Sequence, residues 1–340
     1  MSTTVKGLEW LRTFLQERRQ ILVVTHNDPD PDALAAAYGM STLLRVYRRR
    51  GQRIVPAFGG LLARAENREM VRALRLRFRH VERLNLNEFD GIVLVDTQPG
   101  VGNHALPEDC VPEVVIDHHP RLRSTGQAMW ADVRPSYGAT STIVAEYLMA
   151  ANVPWDERVA TALFYGIRTD TLGLARGATE HDAAMYLALH AHVNQQALAR
   201  IERAPLPRRY FRALAKALEQ ATIYHNVVFL DLGQMDRPDL GAEMADLFLR
   251  LERTEWVISV GIYDDMLIVS VRTNSPTPRA GHLVRRAVGR RGRAGGHGTM
   301  AAGRIVLDHR NPEEESRRLR HRFLELLGLA DVRGRPLLAR

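Results

Sequence analysis

Three short, continuously apolar runs in this chain each stop abruptly at a histidine or an aspartate. Residues 21–25 (ILVVT) run into His26, Gly91–Val95 (GIVLV) into Asp96, and residues 113–116 (EVVI) into Asp117. Runs this short, with little polar alternation, suit strands buried on both faces, as in a mostly parallel sheet. Helical periodicity follows the first run over residues 33–50, with Gly51 placed as its C-cap, and recurs over 140–151 and 158–168. Arg53–Phe58 reads as a further strand. The alternation predicts an α/β class, with a mostly parallel N-terminal sheet carrying helices on both faces. Ligands in such sheets gather at the carboxyl ends of the strands, so the polar residues standing there are candidate chemistry.

The second half reads differently. Residues 181–221 are helical in pattern but broken by Pro205 and Pro207, as expected of a connector. A second set of strands begins at 223–230, followed by a helix over 241–251. A hairpin then joins Trp256–Tyr263 to 266–272 through a turn at Asp264 and Asp265. Helices are expected at Ala280–Val288 and 312–327, with a loosely held tail over 333–340. A chain of 340 residues accommodates two domains, each with its own core.

Composition narrows the class of function. Residues 1–20 form an amphipathic helix built on Leu8, Leu11 and Leu15, not a signal peptide. No stretch approaches the ~18 apolar residues of a membrane span. The single cysteine, Cys110, excludes an intramolecular disulfide framework and thiolate zinc clusters. These features favour the cytoplasm. The net charge of +8 suits anionic partners such as nucleotides or nucleic acid, although an arginine-rich solvated surface accounts for it equally well.

The chemistry is concentrated in four motifs. The first, His26-Asn27-Asp28-Pro29-Asp30-Pro31-Asp32, lies between a strand and a helix. Taken alone it also reads as a turn with Asp32 capping the helix. The second is Asp96 at a strand end, the third Asp117-His118-His119, and the fourth Asp170 at the end of a helical run, where the dipole disfavours an acid. Imidazole and carboxylate without thiolate suit manganese, magnesium or cobalt. Four aspartates neutralise two divalent ions. One carboxylate can bridge ions about 3.5–4 Å apart, and the pair can activate water for in-line attack on phosphorus.

In order and spacing these motifs resemble those of the DHH phosphoesterases. Gly295-Gly296-His297, followed by Ala301-Ala302-Gly303, resembles the signature of the DHH-associated C-terminal domain. The resemblance runs from about residue 20 to 327 and is strongest to the nanoRNase and pAp-phosphatase branch of the RecJ superfamily. It implies a catalytic domain over residues 1–190, a helical connector over 191–221, a smaller α/β substrate-binding domain over 222–330 across a cleft, and a tail over 331–340. It assigns His26 and Asp30 to one metal, Asp32, His118 and Asp170 to a second, and Asp96 to both. Asp117 then orients a histidine, and His119 meets the phosphate and assists the leaving group. Arg272, Gly295, Gly296 and His297 grip the substrate. The implied cofactors are two divalent ions, Mn2+ before Mg2+ or Co2+.

The implied activity is hydrolysis of short oligoribonucleotides or pAp-type nucleotides. Linear or cyclic dinucleotide phosphodiesterase and RecJ-like single-strand exonuclease are alternatives within the class. The Gly295-Gly296-His297 signature argues against a pyrophosphatase. A nucleotide-binding regulator is the non-enzymatic alternative, disfavoured because every ligand position is filled. A homodimer is compatible with the resemblance, and a membrane partner is not expected. Two departures stand out. Pro31 replaces the usual glycine, stiffening the loop between Asp30 and Asp32, and Arg290-Arg291-Gly292-Arg293-Ala294 replaces a glycine-rich segment.

Overall fold

The computed structural model describes residues 2–338; Met1 and residues 339–340, part of the expected first helix and tail, lie outside them, as does the side chain of His297. The chain divides into two compact units, Met1–Pro205 and Leu206–Arg340.

The first unit contains, in chain order, α1 (Thr3–Gln16), β1 (Gln20–Val24), α2 (Pro31–Tyr47), β2 (Arg53–Phe58), α3 (Ala65–Ala73), β3 (Arg79–His80), β4 (Gly91–Val95), β5 (Val114–Asp117), β6 (Trp130–Val133), α4 (Thr140–Ala150), α5 (Glu157–Asp170), α6 (Glu180–His190) and α7 (Gln195–Glu202). Its six strands lie in the order β3-β2-β1-β4-β5-β6, and every pairing is parallel. Successive residues of one strand enter opposite cores, as the two-residue period of a strand requires. Ile21, Val23, Val93, Val95, Val114 and Ile116 pack with the helices, while Leu22, Val24, Val55, Leu94 and Val115 pack on the other side. There the cover is made by two short 3-10 helices, Val81–Arg83 and Leu86–Glu88, and by loop residues such as Leu106. Continuous apolar runs thus mark strands with two dry faces.

The start of α2 differs from the capping expected of Asp32. Asp30 is the N-cap, its Oδ1 accepting from Ala33 N at 2.9 Å, and Pro31 is the first helical residue. Proline suits that position because its missing N–H would have no intrahelical partner anyway. Pro31 therefore starts a helix, and Asp32 is free of capping duty. At the other end α2 stops at Tyr47, with Arg48 extended, so Gly51 is not its C-cap but a turn residue at φ +89°. The Gln52 carboxamide accepts from Arg49 N at 2.6 Å and closes that turn.

The second unit contains α8 (Arg208–Gln220), β7 (Thr222–Tyr224), β8 (Val227–Gln234), α9 (Leu240–Phe248), β9 (Trp256–Tyr263), β10 (Met266–Thr273), α10 (Ala280–Val288), β11 (Arg293–His297), β12 (Met300–Val306), α11 (Pro312–Leu326) and β13 (Arg335–Pro336). The sheet order is β11-β12-β10-β9-β8-β7-β13, antiparallel except between β8 and β9. α10 and α11 cover one face, α8 and α9 the other. The strand expected over residues 223–230 is instead the β7–β8 hairpin, turned by His225 at φ +59° and Asn226. The helices expected as a connector fall on either side of the division: α7 buries Leu198 and Ile201 in the first core, and α8 buries Ala217 in the second. Within the expected tail, Arg335 and Pro336 pair with β7.

Gly166 on α5 sets how closely three helices meet. A Cβ there would stand 2.4 Å from Ser141 Oγ and 3.1 Å from both Ala35 Cβ and Asp32 Oδ1. Gly166→Ala should therefore push α5 outward and cost about 1–3 kcal/mol, measured by urea denaturation. Unchanged stability would contradict this packing.

Candidate metal centre

The sheet order contains one point of divergence. From β1 the chain moves outward to β2, and from β4 it moves the other way to β5, although β1 and β4 are neighbours. The loops leaving their carboxyl ends separate and open a crevice between them, the usual ligand position in such sheets. His26 follows β1 and Asp96 follows β4, so both enter this crevice. Asp96 has φ +61°, in the left-handed region that aspartate enters more readily than most residues with a side chain. Asp117 ends β5 with His118 and His119 next to it, Asp30 and Asp32 open α2, and Asp170 is the last residue of α5.

These side chains come together as the sequence motifs predict. Three overlapping groups have all their donor atoms within 4.8 Å of one another: His26, Asp30 and Asp96; Asp32, His118 and Asp170; and Asp96, His118 and His119. Asp96 is common to two of them, and its oxygens face different ways. Oδ2 lies 3.4 Å from His26 Nε2, whereas Oδ1 lies 3.7 Å from His118 Nε2 and 3.8 Å from His119 Nδ1. His26 Nε2 is 3.9 Å from Asp30 Oδ1, and His118 Nε2 is 3.2 Å from Asp170 Oδ2.

An outer layer of hydrogen bonds fixes each donor. His26 Nδ1 donates to the carbonyl of Asn27 at 2.8 Å and His118 Nδ1 to that of Tyr137 at 3.2 Å. A carbonyl only accepts, so the proton sits on Nδ1 and a neutral ring keeps its lone pair on Nε2. Both carboxylate oxygens of Asp117 accept hydrogen bonds: Oδ1 from His119 Nδ1 at 2.9 Å and Oδ2 from Gln98 Nε2 at 2.6 Å. Asp32 Oδ2 and Oδ1 accept from Thr140 N at 2.7 Å and Ser141 N at 2.8 Å, the first amides of α4, and Asp96 Oδ1 accepts from Thr140 Oγ1 at 2.7 Å. Asp28, the remaining acid of the first motif, accepts from Leu61 N at 2.7 Å and shapes the loop. Gln98, Tyr137, Thr140 and Ser141 carry no motif. The available signal is the run Thr140-Ser141-Thr142 opening a helix, because the first amides of a helix attract anions.

The electrostatics suit cations. Burial and the charge of Asp96 push Asp32 up from the ordinary 3.8 to about 7. Burial and the charges of Asp32, Asp30 and Asp96 hold Asp170 well above the usual carboxylate range. Burial would raise Asp96 too, but His26, His119 and His118 hold it below the usual range. For His26, burial acts downward and is outweighed by the hydrogen bond to Asp96 and the charges of Asp30 and Asp96, which push it up to about 10. In His119, burial is likewise outweighed, by Asp117 and Asp96, and the ring rises to about 9. His118 Nε2 is buried without a hydrogen-bond partner, a costly state for a polar atom that a bound cation would relieve. The donor set fits divalent ions that accept nitrogen and oxygen.

In the second unit, Arg272 on β10 donates from Nε to Asp246 Oδ1 on α9 at 2.6 Å. Gly295 and Gly296 lie within β11 opposite Ala302 and Ala301. Gly296 has φ +133°, and a Cβ there would come within 2.4 Å of Ala301 Cα, so the close pairing of the two strands requires glycine. Arg290 and Arg291 form a 3-10 turn ahead of β11, and Arg291 pairs with Glu315.

Residues 20–167 match the DHH family, N-terminal domain. An uncharacterized protein of Methanocaldococcus jannaschii is 29% identical over 94% of this chain and 66% of its own length. A protein described as a probable manganese-dependent inorganic pyrophosphatase of Lactococcus lactis is 29% identical over 52% of this chain and 57% of its own. The cyclic-di-AMP phosphodiesterase GdpP of Geobacillus thermodenitrificans is 29% identical over 71% of this chain and 38% of its own. The chain thus spans two thirds or less of the length of the curated relatives it matches. An exopolyphosphatase-related protein of Bacteroides fragilis shares the fold, with a TM-score of 0.73 at 14% identity, covering 97% of this chain and all of that one. Among the described residues no helix is long and apolar enough to cross a membrane.

A carboxyl that keeps its proton longer in the folded state than in the unfolded one lowers stability as pH rises. For Asp32 that loss is absent below about pH 4, grows toward about pH 7 and is complete above it. The raised Asp170 acts in the same direction. In metal-free protein, Asp170→Asn should therefore melt higher than wild type, by a margin that widens as pH rises. Added Mn2+ should raise the wild-type melting temperature by more than that of the variant, which loses one donor of the Asp32, His118 and Asp170 set and keeps the set of His26, Asp30 and Asp96. Differential scanning fluorimetry across pH 4–8, with and without chelator, reads both effects. A margin that narrows with pH would contradict the charge crowding.

Proposed function

We propose that the first unit is a metal-dependent phosphoesterase whose substrate is a short oligoribonucleotide or a pAp-type nucleotide. The observation that carries this reading is Asp96, a buried carboxylate whose two oxygens face two different donor sets. On this reading His26 and Asp30 hold one divalent ion, Asp32, His118 and Asp170 hold another, and Asp96 serves both. The donor chemistry and the pyrophosphatase relative described as manganese-dependent favour Mn2+, with Mg2+ or Co2+ as substitutes. Bound divalent ions would supply Lewis-acid charge and lower the pKa of an attacking water.

The remaining chemistry belongs to the chain. Against the downward pull of burial, Asp117 and Asp96 push His119 up to about 9, which favours the protonated ring. Asp117 accepts from the Nδ1 of His119 and orients the ring, which is proposed to donate to a phosphoryl oxygen or to protonate the leaving oxygen. A fixed positive charge of this kind stabilises the negative charge developing in phosphoryl transfer. Asp117 keeps that ring oriented, and Gln98 keeps Asp117 oriented. In the second unit Arg272, steadied by Asp246, together with Gly295, Gly296 and His297, is proposed to bind the nucleotide. A guanidinium suits that task because its planar fork matches phosphate.

A second reading, hydrolysis of a cyclic dinucleotide, is favoured by the cyclic-di-AMP phosphodiesterase relative, whose similarity extends over 71% of this chain. The same centre would serve either substrate. Asp96→Ala should lose several kcal/mol of transition-state stabilisation, roughly a 10³-fold drop in turnover, with an unchanged circular dichroism spectrum. Turnover within tenfold of wild type would overturn the mechanism. With manganese present, comparing pApA, pAp, cyclic di-AMP and pyrophosphate at equal concentration should give the highest kcat/KM for pApA or pAp. A preference for cyclic di-AMP establishes the second reading.

A further inference from the structure

The start of α4 touches ligands from three separate motifs. Its N-cap residue, Ala139, offers no side-chain acceptor to the first helix amides, which therefore need partners from elsewhere. They find Asp32, which is fully buried, through Thr140 N and Ser141 N at 2.7 and 2.8 Å. Thr140 Oγ1 donates to Asp96 Oδ1 at 2.7 Å, and the carbonyl of Tyr137 accepts from His118 Nδ1 at 3.2 Å. One turn, residues 137–141, thus orients a donor from the first turn of α2, one from the end of β4 and one from the end of β5.

The turn is itself held from behind. Asp182, fully buried at the start of α6, accepts from Gly138 N at 2.9 Å and from Thr142 Oγ1 at 2.5 Å. The Tyr137 hydroxyl donates to Glu146 at 3.1 Å, and its ring stacks on His181 with centroids 4.7 Å apart. These contacts do not pass through the donor residues, so the turn can impose its geometry on them.

Resting on the reading of this site as a metal centre, we infer that Thr140 is a positioning residue that couples the two cation sites. Its amide fixes Asp32, which belongs to one donor set, and its hydroxyl fixes the rotation of Asp96, which belongs to both. That hydroxyl occupies one lone pair of Oδ1 and thereby keeps Oδ2 turned toward His26 and Oδ1 toward His118. Removing it frees the carboxylate to rotate, and both cations lose a correctly aimed ligand at once. A residue that merely packed the helix start would not have this double effect.

Isothermal titration of Mn2+ into metal-free protein tests the inference. Thr140→Val should weaken both binding events on the order of tenfold, a usual effect of losing an outer partner of a metal ligand. Thr140→Ser, which keeps the hydroxyl, should bind as wild type does. Circular dichroism and metal-free melting confirm that the variants are folded; if Thr140→Val is not, Thr140→Ala serves in its place. Wild-type affinity in the hydroxyl-less variant, weakening of one event alone, or failure of serine to restore binding each overturns the coupling role. A wild-type protein that binds neither Mn2+, Mg2+ nor Co2+ overturns instead the metal-centre reading on which the inference rests.

Discussion

Four aspartates lie close enough to perturb one another inside a largely dry crevice, and the first unit is organised around making that tolerable. Like charges a few ångströms apart repel strongly where water is excluded, and burial adds to the penalty. Asp32 and Asp170 register the repulsion by holding their protons. The fold answers with rigid placement. Asp32 rests on the first amides of α4, Asp30 caps α2, and Asp96, at a left-handed φ, is held by Thr140. Gly166 lets α5 approach closely enough for Asp170, at its end, to reach the same crevice. The charge crowding sacrifices some stability, as functional sites commonly do, and the cap and amide hydrogen bonds offset part of it.

Much of this is legible in the sequence because a dry strand leaves little reason for a polar residue at its end. The runs before His26, Asp96 and Asp117 mark both the strands and the direction in which those residues enter the crevice. The role of Asp32 is obscured because two aspartates flank Pro31 and either can cap a helix. Proline at the first helical position is the available signal, and it points to Asp30. Thr140 and Ser141 are marked in the sequence only by a polar run opening a helix, since they act partly through backbone amides that any residue would supply. The β7–β8 hairpin is hidden for a related reason. An apolar run conceals a two-residue turn when the turn residues, His225 and Asn226, are read as part of the strand.

In the second unit the glycine pair has a structural explanation in addition to the chemical one expected of it. β11 and β12 are both built of small residues, Ala294-Gly295-Gly296 against Ala301-Ala302-Gly303. Gly296 is required by the nearness of Ala301, whereas Gly295 faces open space. A Cβ at Gly295 would therefore be tolerated sterically, so the reason for glycine there must be sought in whatever approaches the strand. On the proposed role of Arg272 in binding the nucleotide, its hydrogen bond to Asp246 would orient the guanidinium beforehand. A pre-oriented fork loses less entropy on binding than a free one.

The three histidines of the first unit's crevice show how one side chain is given two roles. Each is tied through Nδ1: His26 and His118 to backbone carbonyls, His119 to the carboxylate of Asp117. A carbonyl fixes the tautomer without contributing a full charge, leaving Nε2 suited to a cation. A carboxylate instead favours the protonated ring, and His119 rises to about 9. His26 is raised as well, but by Asp96 and Asp30, the same carboxylates for which a cation would compete. The distinction between ligand and acid therefore lies less in the imidazole than in the acceptor behind it. Asp117, immediately before both His118 and His119, makes that choice for only one of them.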